Sequence, residues 1–282
     1  MIAIAVHHLN KAFGEKTVLK NVCFSVEGGT VFGLLGPSGA GKTTVMKLLT
    51  GQIKRDGGTV KVFGTDPKTL TGADRKTFGI MMDQFGLYDR LSCFQNLRVF
   101  AKIYGISDSE IRDALAKVGL AGEAKTPAYR LSKGMASRLR LARAFMIDPK
   151  ILFLDEPTSG LDPETASEMH EMILAEKKKG KTVFLTTHSM AEAEKLCDRV
   201  ILLHGGSIVE QGHPRELCCR YDRSRRIHLR LKDGRELTLP HDVSAIETIA
   251  EGLDSGSIAA MHTSEPNLET VFMELTQKEL SA

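Results

Sequence analysis

The sequence predicts an α/β protein in which a parallel sheet carries a phosphate-binding loop, followed by a small α+β C-terminal domain. The first observation is an apolar strand at residues 31–35 that runs directly into a glycine-rich loop and then an apolar helix. The second is the alternation of short apolar strands, such as residues 151–154 and 183–186, with helical stretches. This alternation is typical of a parallel sheet covered by helices.

The glycine-rich loop matches the pattern G-x-x-x-x-G-K-[ST]. Its glycines let backbone N–H groups turn inward around a polyphosphate, and the following helix directs its positive end to the same point. Lys42 is suited to neutralise phosphate charge, and the Thr43 hydroxyl to bind Mg²⁺. The alternative is a strand–helix turn that binds nothing. The candidate phosphate-binding residues are Gly36, Pro37, Ser38, Gly39, Ala40, Gly41, Lys42, Thr43 and Thr44.

The remaining elements are predicted from periodicity and turn residues. A helical pattern extends over residues 91–120, where Ser107 or Asp108 can cap the second half, and another helix begins at Ser132. We therefore predict one domain over residues 1–219 with a helical subdomain at about 87–147. The other strands are predicted at residues 2–6, 22–26, 60–63, 80–82, 200–203 and 208–210.

The last part of the chain has its own character. Residues 220–226 contain four arginines and are predicted to be a linker; such a run is usually a solvated face, and lipid headgroup contact is the alternative. Residues 227–282 are predicted to form the accessory domain. It would contain a hairpin about Asp233-Gly234, two helices and one more strand.

Composition excludes several classes of function. The net charge of +3, the absence of Trp and an aromatic content of 6% argue against a nucleic-acid-binding protein. No apolar run approaches the ~20 residues that span a bilayer, so we expect no direct membrane span. The five cysteines include no C-x-x-C pair, which favours a reducing cytosol over a zinc site or a disulfide framework.

Two acidic residues, Asp155 and Glu156, follow the apolar strand at residues 151–154. Open α/β sheets bind ligands at the carboxyl ends of their strands. Asp155 is therefore a candidate Mg²⁺ ligand, and Glu156 a candidate for polarising the water that attacks the γ-phosphate. An acidic turn without function is the alternative.

At this point the chain resembles the nucleotide-binding domain of the ABC ATPase family, over about residues 1–215. Leu131-Ser-Lys-Gly-Met135 resembles the family's signature motif, and Asp155 to Asp162 resembles the Walker B strand with its D-loop. His188 stands where the switch histidine belongs. Gln84 resembles the Q-loop glutamine, and Phe13 the aromatic residue that stacks on adenine. The signature departs from LSGGQ at Lys133 and Met135.

The resemblance implies a P-loop NTPase fold and an ATPase that uses ATP and Mg²⁺. It assigns catalysis to Glu156, His188, Lys42 and Gln84, and metal binding to Thr43, Gln84 and Asp155. The other nucleotide contacts are implied for Phe13, the phosphate-binding loop, Ser132, Gly134 and Asp162. Ser132 and Gly134 would contact the ATP held by a second domain.

The resemblance also implies the partners. We expect a second nucleotide-binding domain, identical or homologous, and a separate integral membrane permease that docks near residues 87–130. The close of the chain, residues 266–276, resembles ATPases paired with ABC-2 type exporters of drugs, antibiotics, peptides or lipids. Such a subunit would lie on the cytoplasmic face of the membrane through its permease. A soluble ABC ATPase acting on ribosomes or nucleic acid, and a different P-loop enzyme such as a small-molecule kinase, are the alternatives.

Overall fold

The computed structural model describes residues 1–82, 86–221, 226–263 and 267–276. They form two compact units, which divide between Pro214 and Arg215 rather than at the predicted residue 219. Most of the predicted linker, residues 222–225, lies outside the described residues. No helix in the described part of the chain combines the length and apolarity that crossing a bilayer requires.

The first unit alternates strands and helices. Its described strands are β1 (Ile2–Phe13), β2 (Lys16–Glu27), β3 (Val31–Leu35), β4 (Gly57–Val62), β5 (Phe78–Met81), β6 (Ile151–Asp155), β7 (Thr182–Thr187), β8 (Arg199–His204) and β9 (Ser207–Gly212). Its described helices are α1 (Lys42–Leu49), α2 (Gly72–Arg75), α3 (Cys93–Tyr104), α4 (Asp108–Lys117), α5 (Lys133–Phe145), α6 (Pro163–Lys178) and α7 (Met190–Leu196).

The central sheet has the strand order β5-β6-β7-β3-β8-β9. All neighbouring strands are parallel except the pair β8–β9. Because β3, β6 and β7 are adjacent and parallel, the loops that follow them emerge at one edge of the sheet. This edge receives the phosphate-binding loop, the acidic pair and the candidate switch histidine.

A second sheet, with the antiparallel order β2-β1-β4, packs on the central sheet through aromatic side chains. Phe24 of β2 stacks on Phe32 of β3 and on Phe184 of β7, with ring centroids 5.8 and 6.0 Å apart. Phe153 of β6 extends the cluster against Phe184. Since fully buried aromatic side chains stabilise a core by several kcal/mol each, roughly 3–5 on truncation to Ala, this cluster fixes the strands that carry the site.

The helical subdomain is built from α3, α4 and α5, which pack on one another. Serine side chains begin each helix: Ser92 and Ser107 form capping boxes, and the Ser132 hydroxyl accepts from the Met135 N–H at 3.2 Å. The helical pattern predicted over residues 91–120 forms two helices, because Gly105 adopts a left-handed conformation and ends α3, and Ser107 caps α4 as expected.

The second unit is a small α+β fold. Its described elements are α8 (Pro214–Arg220), β10 (Arg226–Leu231), β11 (Glu236–Pro240), α9 (Ile246–Asp254), β12 (Ile258–Thr263) and α10 (Leu268–Thr276). The sheet order is β11-β10-β12, and both pairs are antiparallel. Ile227 and Leu229 of β10 pack with Ala245 in a small core of their own.

Candidate functional site

The phosphate-binding loop depends on two glycines for which no other residue fits. A Cβ atom on Gly36 would lie 2.3 Å from the carbonyl oxygen of Leu203. Gly41 has a φ of +109°, and a Cβ there would lie 2.8 Å from the Leu19 side chain. Both positions therefore require glycine, and the loop turns tightly just before α1 begins at Lys42.

The Lys42 side chain is buried and crosses the loop. Its Nζ donates to the Gly36 carbonyl at 2.6 Å and to the Pro37 carbonyl at 3.3 Å. The same nitrogen lies 3.2 Å from Oε1 of Glu156. The ammonium group thus joins the phosphate-binding loop to the acidic pair at the end of β6, in a position where phosphate oxygens would meet it.

Thr43 and Asp155 lie side by side below this lysine. The Thr43 hydroxyl donates to Oδ2 of Asp155 at 3.1 Å, and Thr186 of β7 donates to Oδ1. Asp155 is 7% exposed, so its carboxylate has little contact with solvent and these hydroxyl donors compensate its charge. A hydroxyl and a carboxylate in contact make a donor set of hard oxygens that fits Mg²⁺.

Glu156 occupies a strained position at the mouth of the site. Its φ of +49° is rare for a residue with a side chain, and its N–H is held by the carbonyl of Thr186 at 3.0 Å. His188 Nδ1 donates to Oε2 of Glu156 at 2.6 Å, while the other oxygen faces Lys42. The carboxylate is thereby placed between a lysine and a histidine, and its backbone conformation directs it into the site.

A cavity of about 340 Å³ lies beside this cluster. It is lined on one side by Thr43, Asp155 and Glu156, and on the other by side chains of α5. Of the signature residues, Lys133 lines this cavity, whereas Ser132 and Gly134 are not among its lining residues.

The signature residues instead pack on the D-loop of the same chain. Asp162 caps α6 by accepting from the Thr165 N–H at 2.9 Å, and this hydrogen bond lowers the pKa of Asp162. A Cβ on Gly134 would lie 2.7 Å from the methyl group of Thr165. Lys133 extends across Gly160, so the departure from LSGGQ places a cation on the D-loop.

Phe13 lies at the end of β1 and is 51% exposed, which is unusual for a phenylalanine. Lys11 Nζ lies 4.9 Å from its ring centroid. The following strand, β2, runs beside the phosphate-binding loop, because Val18 and Leu19 contact Gly41. Gln84 lies outside the described residues, so its role stays a prediction.

Sequence reasoning missed four residues that support the site. Thr186 holds both Asp155 and the Glu156 backbone, while half-buried Thr158 and His170 bind buried Glu192 in a network beside His188. Thr158 lies within the stretch that resembles the Walker B strand and D-loop, but no motif identifies the other three. The one available signal was the position of Thr158 and Thr186 within two residues of predicted site residues.

Comparisons with known proteins agree with this geometry. A family profile described as ABC transporter matches residues 19–159. The fluoroquinolones export ATP-binding protein of Mycobacterium tuberculosis is 38% identical, over 92% of this chain and 87% of that protein. The linearmycin resistance ATP-binding protein of Bacillus subtilis is 31% identical, over 98% and 99%. A solved ATP-binding subunit of an ABC transporter superposes with a TM-score of 0.70 and 28% identity, over 78% of this chain and 93% of that one.

Proposed function

Because the chain belongs to the ABC transporter family and is an ATP-binding, ATP-hydrolysing cassette, we propose that it drives a separate membrane permease that exports a drug, antibiotic, peptide or lipid. Relatives named for fluoroquinolone export and linearmycin resistance align with nearly the whole chain, which supports an exporter. The cassette would lie at the cytoplasmic face of the membrane through that permease.

The observation that carries the hydrolytic role is the placement of the Glu156 carboxylate, 2.6 Å from His188 and 3.2 Å from Lys42. Glu156 would accept a proton from the attacking water, and His188 would hold the carboxylate and the γ-phosphate in line. Lys42 would exchange its contacts with loop carbonyls for phosphate oxygens. Phe13 would stack on the adenine ring.

Thr43 and Asp155 would hold Mg²⁺, whose charge would neutralise the β- and γ-phosphates when it is bound. The Thr43 hydroxyl and the Asp155 carboxylate lie 3.1 Å apart. Gln84 is proposed as a further ligand from the family resemblance alone.

The site becomes complete only with a second nucleotide-binding domain, a copy of this chain or a homologue. Ser132 caps α5 and Gly134 lies in its first turn, and neither lines the cavity beside the chain's own phosphate-binding loop. We propose that they contact the γ-phosphate of ATP held by the partner domain. Asp162 would stabilise this contact because it fixes Thr165, against which Gly134 packs.

A pocket between the core and the helical subdomain is the proposed docking site for the permease. It has a volume of about 190 Å³ and combines Phe78 and Ile80 of β5 with Phe100 and Tyr104 of α3 and with Arg143 of α5. Arg143 lies over the Phe100 ring at 4.8 Å. An apolar pocket with a cationic wall would accept a short helix of the permease, and β5 leads from it towards the Q-loop.

The substitution Glu156→Gln tests this function. The amide keeps the shape of the side chain but cannot take a proton, so hydrolysis should fall at least about 100-fold while ATP binding persists. ATP should then trap a dimer, measured by size-exclusion chromatography with light scattering. Glu171→Gln, an exposed carboxylate on α6, is the matched control and should hydrolyse ATP normally. Undiminished phosphate release from Glu156→Gln would remove this residue from catalysis.

A further inference from the structure

A buried carboxylate on α7, Glu192, lies behind the proposed catalytic pair and is not used in the mechanism above. It is 5% exposed. Thr158 donates its hydroxyl hydrogen to Oε1 of Glu192 at 2.5 Å, and His170 Nε2 donates to the same oxygen at 3.1 Å. The Glu192 N–H donates to the Ser189 hydroxyl at 3.2 Å, and the Ser189 N–H donates to the Thr187 hydroxyl at 3.0 Å. Glu192 therefore joins three other parts of the first unit.

The positions of these residues in the chain show which loops the network connects. Thr158 is two residues after Glu156, and Thr187 is one residue before His188. The Glu192 carboxylate thus binds the loop that carries the proposed base, and the Glu192 backbone is tied through Ser189 and Thr187 to the loop that carries the switch histidine. His170 adds a third anchor on α6, which is the helix that the D-loop enters.

Glu192 has the properties of a fixed anion rather than a neutral acid. Burial alone would raise its pKa, but the hydrogen bonds from His170 and Thr158 outweigh burial and hold the pKa below its usual value. A buried carboxylate that accepts two hydrogen bonds on one oxygen is held in one geometry, because loss of either donor leaves part of its charge without compensation. It is therefore a rigid link between the groups that it joins.

Glu156 and His188, the residues that this link positions, depend on a strained backbone and a short hydrogen bond. Glu156 keeps a left-handed backbone, and its Oε2 meets His188 Nδ1 at 2.6 Å. Such a conformation persists only where surrounding contacts determine it. Because Glu156 and His188 stand on different loops, a small shift of one loop against the other would break their hydrogen bond.

We propose that Glu192 is a positioning residue that holds the loops of Thr158 and Thr187 at the separation at which Glu156 meets His188. This inference rests on the proposed function, since Glu192 acts through those two residues and does not contact nucleotide. It assigns a role in hydrolysis, and none in ATP binding, to the network of Glu192, Thr158 and His170.

The test is a mutant cycle on the full-length purified chain. Glu192→Gln and Thr158→Val each remove part of the link, and each should lower kcat about 10-fold while the affinity for ATP stays within about twofold of wild type. In a His188→Ala background, Glu192→Gln should change the single-turnover rate by less than about twofold, because the contact that it supports is already absent. Glu171→Gln, next to His170 and exposed, is the control and should match wild type.

The possible results distinguish a failure of the positioning role from a failure of the proposed function. Equal rate losses from Glu192→Gln in the wild-type and His188→Ala backgrounds would overturn the positioning role, as would an unchanged kcat. A parallel loss of ATP affinity would also overturn it. If Glu192→Gln does not fold, shown by its melting curve, the same comparison is made with Thr158→Val. Hydrolysis that survives Glu156→Gln would instead overturn the proposed function, so the two failures are distinguishable.

Discussion

Replacement of Lys42 by alanine should weaken ATP binding by an amount that the structure sets. Hydrogen bonds between charged partners contribute about 1.5–3 kcal/mol. The ammonium group donates to the Gly36 carbonyl at 2.6 Å and lies 3.2 Å from Glu156. Because phosphate must replace these contacts, we expect the lower part of that range, about 1.5–2 kcal/mol. This corresponds to roughly 10- to 30-fold weaker binding.

The assay is equilibrium titration with a fluorescent ATP analogue in the presence of Mg²⁺. Lys47→Ala is the matched control, since Lys47 lies on the same helix, α1, outside the phosphate-binding loop. Melting curves without nucleotide establish that both variants are folded. An affinity of Lys42→Ala within about threefold of wild type would refute the assignment of the phosphate-binding loop. Loss of binding in Lys47→Ala as well would show that the effect belongs to α1 in general.

Two further predictions concern adenine binding and acid stability. Phe13→Ala should weaken ATP binding roughly fivefold, because aromatic stacking contributes about 1 kcal/mol. The affinity for inorganic triphosphate, which has no adenine ring, should not change. Titrations of the variant with ATP and with inorganic triphosphate check both results. The Arg55 guanidinium, hydrogen-bonded to Asp66, lowers the pKa of that carboxyl to about 2. Asp66→Asn should therefore cost about 1 kcal/mol of unfolding free energy near neutral pH, a modest value because solvent screens the pair. A lowered pKa stabilises the fold above the ordinary Asp pKa of 3.8, so urea titrations should show the difference disappearing as the pH falls towards 2.

The sequence was most informative where function restricts the residue type. The loop from Gly36 to Thr44 and the acidic pair after β6 were found because glycine, lysine and carboxylates can be recognised without knowledge of their neighbours. The comparisons confirm the family and fold that these motifs predicted. The small C-terminal hairpin was also predicted correctly, because Asp233-Gly234 is a strong local turn signal.

Features that depend on contacts across the fold could not be predicted. The first strand was predicted at residues 2–6, whereas β1 continues to Phe13. Irregular pairing around His8, which has a φ of +49°, breaks the alternation on which the strand prediction relied. The network of Glu192 could not be predicted for a related reason, since Thr158 and His170 lie 34 and 22 residues from Glu192 in sequence and only the fold brings them together.

The central claim is that this cassette supplies ATP hydrolysis to a membrane permease. The most direct measurement is a mild-detergent purification of the tagged chain from its native membranes, with the co-purifying proteins identified and the ATPase rate compared with that of the chain alone. We predict that a polytopic membrane protein co-purifies with the chain and raises its ATPase rate. The Glu156→Gln variant should show no such increase. Recovery only in the soluble fraction, or with ribosomes, would contradict the account and favour a soluble ABC ATPase.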